Sequence, residues 1–210
     1  MYRSFKPVWF ILWVIFSTSA FAVDKSEVKE KWYTPFDLYL NAQEVYDMKS
    51  ADMDGVLLLD VRNRPEIQYI GMANLVDANI PIYFQQKDFE WKVKKDGVHG
   101  SFRKTKNKNF AAAVDNVIKA KGLTRESPII IMCTSGSRAP YAVRALHKAG
   151  FKKVYTSIEG FEGVKAKEGP NKGKRVVNGW KNRSLPWSYK LPTAKMYFNF
   201  DPELINKERK

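Results

Sequence analysis

The sequence predicts a three-layer α/β domain, with a central, mostly parallel sheet and helices on both faces. Three features carry this expectation. Val56–Val61 and Pro128–Met132 are short apolar runs with little alternation, the pattern of strands covered on both faces. Segments with helical spacing lie between the strand-like runs, and that alternation implies right-handed βαβ units. Finally, 210 residues with 44% hydrophobic content suffice for one sizeable core.

In chain order, residues 1–22 read as a secretory signal peptide. Arg3 and Lys6 precede the apolar run Val8–Phe16, and Ala20-Phe21-Ala22 supplies a small-x-small cleavage pattern. As a helix that run covers roughly 14 Å, about half of a hydrocarbon core, so no stable membrane anchor is expected. The expected destination is periplasmic. Residues 23–34 read as an N-terminal extension.

The domain itself is expected over 35–190. Thr34-Pro35 predicts a helix start, with Thr34 as N-cap and the apolar face running to about Lys49. After the strand at Val56–Val61, Asn63 and Pro65-Glu66 start another helix. Ala78–Pro81 is a short strand stopped by its proline. Phe110–Ala120 is a helix closing at Lys121-Gly122. Pro128–Met132 is the second buried strand, Ser137–Ala149 a helix ended by Gly150, and Phe151–Tyr155 a strand. Two basic insertions interrupt this order. Residues 85–109 hold eight Lys/Arg against three acids and alternate around Asp96-Gly97, as a hairpin does. Residues 164–184, rich in Lys, Gly and Asn, read as a long loop. Each insertion is a solvated decoration or a substrate lid. Residues 191–210 read as a C-terminal tail.

Composition narrows the chemistry. One cysteine excludes an intrachain disulfide and every multi-thiolate metal site, and His99 and His147 form no ligand pair. No metal and no cofactor are expected. A net charge of +14 favours anionic partners without naming the anion. Export would remove the chain from nucleic acid, so none is expected as a partner. An unpaired cysteine in an exported chain is an intermolecular link, a reactive group or an inert buried thiol.

Cys133 sits in Met132-Cys133-Thr134-Ser135-Gly136-Ser137-Arg138-Ala139, between a buried strand and a helix. That crossing lies at the carboxyl edge of an open sheet, where ligands bind. Gly136 and the small residues Thr134, Ser135 and Ser137 let the loop curl with its N–H groups inward. Such a nest at a helix N-terminus holds an anion, so these four are candidate substrate-binding residues. A thiolate or persulfide at Cys133 would lie at its focus, provided that the sulfur is within reach. Arg138 supplies a permanent cation for an oxyanion or anchors the loop, or else is an exposed helix cation.

Cys133-x-x-Gly136-x-Arg138 after a hydrophobic strand resembles the active-site loop of the rhodanese (thiosulfate sulfurtransferase) family. Asp60-Val61-Arg62 with Glu66 resembles that family's Asp-Val-Arg-x-x-x-Glu element, and Ala78-Asn79-Ile80-Pro81 its Ala-x-Asn-Ile-Pro region. Gly150–Val154, Glu159-Gly160-Phe161 and Gly179-Trp180 with Leu185-Pro186 follow in the family's order. The resemblance spans roughly 35–187. It departs at Gly71-Met72-Ala73, where the family has Gly-His-Ile, and at Glu159-Gly160, where it has Gly-Gly. Thr134 and Ser135 stand where some thiosulfate-using members carry a cation.

The resemblance implies a sulfurtransferase in which Cys133 takes sulfane sulfur from a small anionic donor such as thiosulfate. The persulfide would then pass it to a thiophilic acceptor: cyanide, a thiol or a protein. Cys133 and Arg138 are the candidate catalytic residues. Asp60 and Arg62 suit a buried ion pair bracing the loop, and Glu66 a helix start or a partner of Arg62. Trp91, Trp180 and Trp187 read as packing, with Trp180 also able to line a pocket. Two other classes stay open: a cysteine phosphatase or arsenate reductase, and a non-catalytic sulfur carrier or binding module whose basic insertions dock an acidic protein. Loop length separates the first of these, since Cys133 to Arg138 spans the six residues of a sulfurtransferase where related phosphatases use seven.

Overall fold

Buried apolar runs need neighbours on both faces and both edges, and five short parallel strands meet that need here. The computed structural model describes residues 23–208, so the signal peptide expected at 1–22 lies outside them. After two 3-10 turns, the chain forms β1 (Tyr39–Leu40), α1 (Ala42–Ala51), β2 (Leu57–Asp60) and α2 (Arg64–Ile70). β3 (Met72–Ala73), β4 (Ala78–Asn79), β5 (Tyr83–Lys94), β6 (Gly97–Lys106) and α3 (Phe110–Ala120) follow. β7 (Ile129–Met132), α4 (Ala139–Lys148), β8 (Val154–Ser157), β9 (Trp187–Ser188) and α5 (Pro202–Glu208) complete the order.

The main sheet runs β1-β8-β7-β2-β4 and every pairing in it is parallel. Alternate residues of β2 and β7 serve opposite layers. Leu57, Leu59, Ile129 and Ile131 pack against α3 and α4, whereas Leu58, Ile130 and Met132 pack with residues of α1 and α2 and with Trp180. Helices therefore cover both faces of an α/β sheet, as expected. A small antiparallel pair, β3 with β9, and the β5–β6 hairpin lie outside this sheet.

The helix start expected at Thr34 is displaced. Tyr39 and Leu40 are fully buried and pair with Thr156 and Ser157 of β8, and α1 begins only after Asn41. Asn41 and Glu44 form a reciprocal capping box, each side chain bonding the other's backbone N–H. Thr34-Pro35 satisfies local capping rules, but two buried side chains and a strand pairing outweigh them. At α2 the expectation holds, with Asn63 and Glu66 as the capping box and Pro65 in the first turn.

Both flanks of the domain are packed. Val28 is buried, and Arg144 of α4 donates to the carbonyls of Lys31 and Tyr33. Within 191–208, Met196 pairs in parallel with Asn79 at the sheet edge. Tyr197 and Phe200 lie against the α3 side of the core, and Asn116 Nδ2 donates to Phe200 O at 2.8 Å. Trp180 is wholly buried, with its indole N–H bonded to Pro186 O, and is a packing residue.

Candidate active site

Because the sheet is parallel, β2, β7, β8 and β4 all end at one edge, and β7 is flanked there by β2 and β8. The six-residue segment Cys133–Arg138 leaves β7 at that edge through a run of bends and enters α4. Gly136 makes the reversal possible. Its φ is +82°, and a Cβ there would overlap the Ile158 carbonyl, so no other residue fits.

Three backbone bonds hold the loop's carbonyl side. Phe161 N donates to Cys133 O at 2.7 Å, and Glu162 N and Gly163 N donate to Thr134 O at 2.9 and 3.1 Å. Gly160 sits so close beneath the loop that a Cβ would strike Cys133 O and Ser135 N. The loop's amide side is different. Among the described residues, no oxygen accepts a hydrogen bond from the backbone N–H of Thr134, Ser135, Gly136, Ser137 or Arg138. Five consecutive free donors at a helix N-terminus are what a bound anion would use.

Glu66 ties this loop to the start of α2. Its carboxylate receives both terminal nitrogens of Arg138, Nη1 at 2.7 Å, and the Thr134 hydroxyl at 2.6 Å. Arg138 also donates to Thr134 Oγ1. Burial works to raise the Glu66 pKa, but the Arg138 hydrogen bonds and charge, with Thr134 and the Asn63 N–H, outweigh it. The result is a carboxylate held down at about 2. Arg138 is correspondingly more basic than a free guanidinium: burial opposes its charge, and Glu66 more than restores it. The partner assignment for Glu66 is thus corrected from Arg62 to Arg138.

Arg62 pairs instead with Asp60, the last residue of β2. Both are fully buried, with contacts of 2.6 to 3.1 Å, and Arg62 Nη2 also donates to Gly71 O. Its guanidinium stacks on the Phe161 ring at 4.1 Å, and Phe161 is the residue whose N–H holds Cys133 O. Asn79 Nδ2 ties the carbonyls of Asp60 and Arg62 together at 2.9 Å each. Asp60 and Arg62 therefore act on the loop through Phe161.

The sulfur itself departs from expectation. Cys133 has no solvent exposure. It continues the alternation of Ile129 and Ile131, and so joins the core cluster on the α3/α4 side. A cleft of about 350 Å³ opens beside α2 between Asn63, Arg64, Pro65 and Phe84, and Cys133 does not line it. Thr134 is buried, Gly136 is buried and Ser137 is exposed. His99 is beside Asp96 in the hairpin, and His147 packs edge-on against Phe36. Among the described residues, no group of three or more His, Cys, Asp or Glu is placed to hold a metal.

Two features of the site were not legible in the sequence. Phe161 reaches the loop, and Asn79 the Asp60–Arg62 backbone, only through strands and turns far apart in the chain, although both lie in motif-like stretches. Glu159, where the family has glycine, accepts from Ala42 N, Gly179 N and Arg183 and so clasps the basic loop at 164–184 to the domain.

Comparison with known proteins agrees with this geometry. The model of the rhodanese-like domain matches residues 41–167. An uncharacterized protein of Rickettsia conorii is 29% identical over 154 residues, 71% of this chain and all of that protein. One of Rickettsia prowazekii is 26% identical over 151 residues, 70% of this chain and 98% of its own. Among solved structures, the crystal structure of Rv0390 from M. tuberculosis is similar with a TM-score of 0.52 and 25% identity, covering 72% of this chain and 97% of that one. With the family's stretch containing four of the five sheet strands, the Asp60–Arg62 pair and the whole Cys133–Arg138 loop, the chain belongs to the rhodanese-like domain family.

Proposed function

We propose that the protein is a sulfurtransferase that carries sulfane sulfur on Cys133. The observation that carries this reading is the run of five unpaired backbone N–H groups in the loop that begins at Cys133. In the first step the Cys133 thiolate attacks the outer sulfur of thiosulfate; the new S–S bond forms as the old one breaks, releasing sulfite and leaving Cys–S–S⁻. In the second, an acceptor such as cyanide or a thiolate takes the outer sulfur and the thiolate returns. No proton moves in the first step, so no general base is needed. The persulfide's terminal anion can take the free N–H groups, which stabilise negative charge where it forms.

Arg138 takes a positioning role in this scheme. Its terminal nitrogens are committed to Glu66 and Thr134, which leaves anion binding to the amides and disfavours a phosphatase, where the loop cation must face phosphate. We propose the export route and a periplasmic acceptor on the signal-like residues 1–22 alone.

Complete burial of Cys133 favours a second reading, a non-catalytic domain with a structural thiol. One experiment separates the two. Incubation with thiosulfate, polysulfide or mercaptopyruvate followed by intact-mass measurement should add one sulfur atom to the protein and none to Cys133→Ser. Sulfur transfer requires the loop to open, so iodoacetamide should label native Cys133 slowly and thiosulfate should protect it. Absence of both sulfur uptake and native labelling establishes the structural thiol.

A further inference from the structure

We propose that the β5–β6 hairpin is a docking surface for an anionic lipid bilayer, lying along the headgroup region with one apolar face down. The proposal is independent of the sulfur chemistry. Strand alternation and register place Phe89, Trp91 and Val93 of β5 beside Phe102 and Val98 of β6, with Phe89 opposite Phe102 and Val93 opposite Val98. All five side chains therefore share a face. Between the aromatics stands Gly100, where a Cβ would strike the Phe89 ring. The ring centroids of Phe89 lie 4.7 Å from Trp91 and 5.2 Å from Phe102.

Nothing among the described residues covers this strip. Trp91 is 72% exposed, Val93 85% and Val98 65%. A two-stranded ribbon with solvent on both faces is marginal in water, and a contiguous exposed apolar strip marks an interaction surface.

Cations bound the strip at both ends. Lys94 and Lys95 stand at the turn. Lys104 and Lys106 follow Phe102 on the same face of β6, where Lys106, Arg144 and Lys148 line a cleft of about 210 Å³ with Tyr83 and Tyr141. Of the hairpin's three acids, Asp88 pairs with Arg103 and Asp96 lies beside His99. An apolar strip between two cationic ends matches a bilayer interface, with aromatics at the headgroup boundary and lysines among the phosphates. Between those ends the face carries only Phe89, Trp91, Val93, Val98, Gly100 and Phe102, so no polar side chain there sets a register. A bilayer accepts such a surface without a complementary groove, whereas a second copy would bring two strongly basic ribbons together.

The test uses the full-length protein and vesicles of phosphatidylcholine, with or without one part phosphatidylglycerol to two. Residues 1–22 are common to every variant, so the readouts are differences made by the hairpin. Sedimentation should show binding to the anionic vesicles that weakens with salt. Both Trp91→Ser with Phe102→Ser and Lys104→Glu with Lys106→Glu should weaken it about tenfold or more. Brominated lipid should quench the fluorescence component that Trp91→Phe removes. If the aromatic variant loses its thermal transition, the lysine variant and the Trp91 quenching decide. Equal binding by wild type and lysine variant, no preference for anionic vesicles, or an unquenched Trp91 overturns the proposal. So does a hairpin-dependent dimer, or an acidic protein that protects the strip in place of lipid.

Discussion

Glu66 is the residue on which the two halves of the site meet, because one carboxylate accepts from Arg138, from Thr134 and from Asn63 N at the start of α2. Its folded pKa is about 2 against an ordinary 4.5. A depressed carboxyl stabilises the fold above its unfolded pKa and loses that contribution as pH falls through the folded one. The loss therefore runs from about pH 4.5 down to about pH 2. The shift corresponds to about 3 kcal/mol at most, and about 2 kcal/mol is expected because a fifth of the side chain meets solvent. Glu66→Gln should flatten the acid limb of a stability-against-pH curve measured by urea unfolding. At pH 7 it should cost about 2–4 kcal/mol, because Arg138 is left largely buried and unpaired. Gly136→Ala is the sharper test of loop geometry. With a positive φ and a carbonyl where the methyl would go, it should abolish sulfur uptake on Cys133 while costing roughly 2–4 kcal/mol in the same assay. The spacing Asp60-Val61-Arg62…Glu66 was visible in the chain, but not that Glu66 answers Arg138, 72 residues away.

At the scale of elements, the two capping boxes show when local rules decide. Asn63-x-x-Glu66 was legible because Pro65 and a preceding strand left no rival start. Asn41-x-x-Glu44 was masked by Thr34-Pro35, and only the pairing of Tyr39 and Leu40 with β8 moved the helix onto it. The hairpin is the converse case. Asp96-Gly97 between alternating runs marked it, and β5 and β6 pair almost only with each other. Replacing Asp88–Arg103 by Asn-Gly should therefore shift the melting temperature by no more than a few degrees, and sulfur uptake by Cys133 should persist. A large loss of uptake would instead make the hairpin a substrate lid.

Across the whole molecule, the segment after 191 behaves as part of the domain rather than as a tail. Met196 extends the sheet edge at Asn79, and Tyr197 and Phe200 pack against the core. A stop codon after Lys195 should lower stability by several kcal/mol, on the order of two or three buried apolar side chains. An unchanged denaturant midpoint would show that the segment is dispensable. Its apolar residues crowd into Met196–Phe200, a stretch too short for its period to separate a packed strap from a solvated one.

By itself the sequence determined the layered α/β architecture, the order of most elements and the loop from Cys133 to Arg138, because hydrophobic period, caps and glycines act over a few residues. Tertiary structure alone decided who partners whom. Glu66 meets Arg138, the Asp60–Arg62 pair meets Phe161, and Cys133 is sealed in the core beneath α3 and α4. Those outcomes depend on which strand ends meet at one edge of the sheet, and no local pattern encodes that meeting.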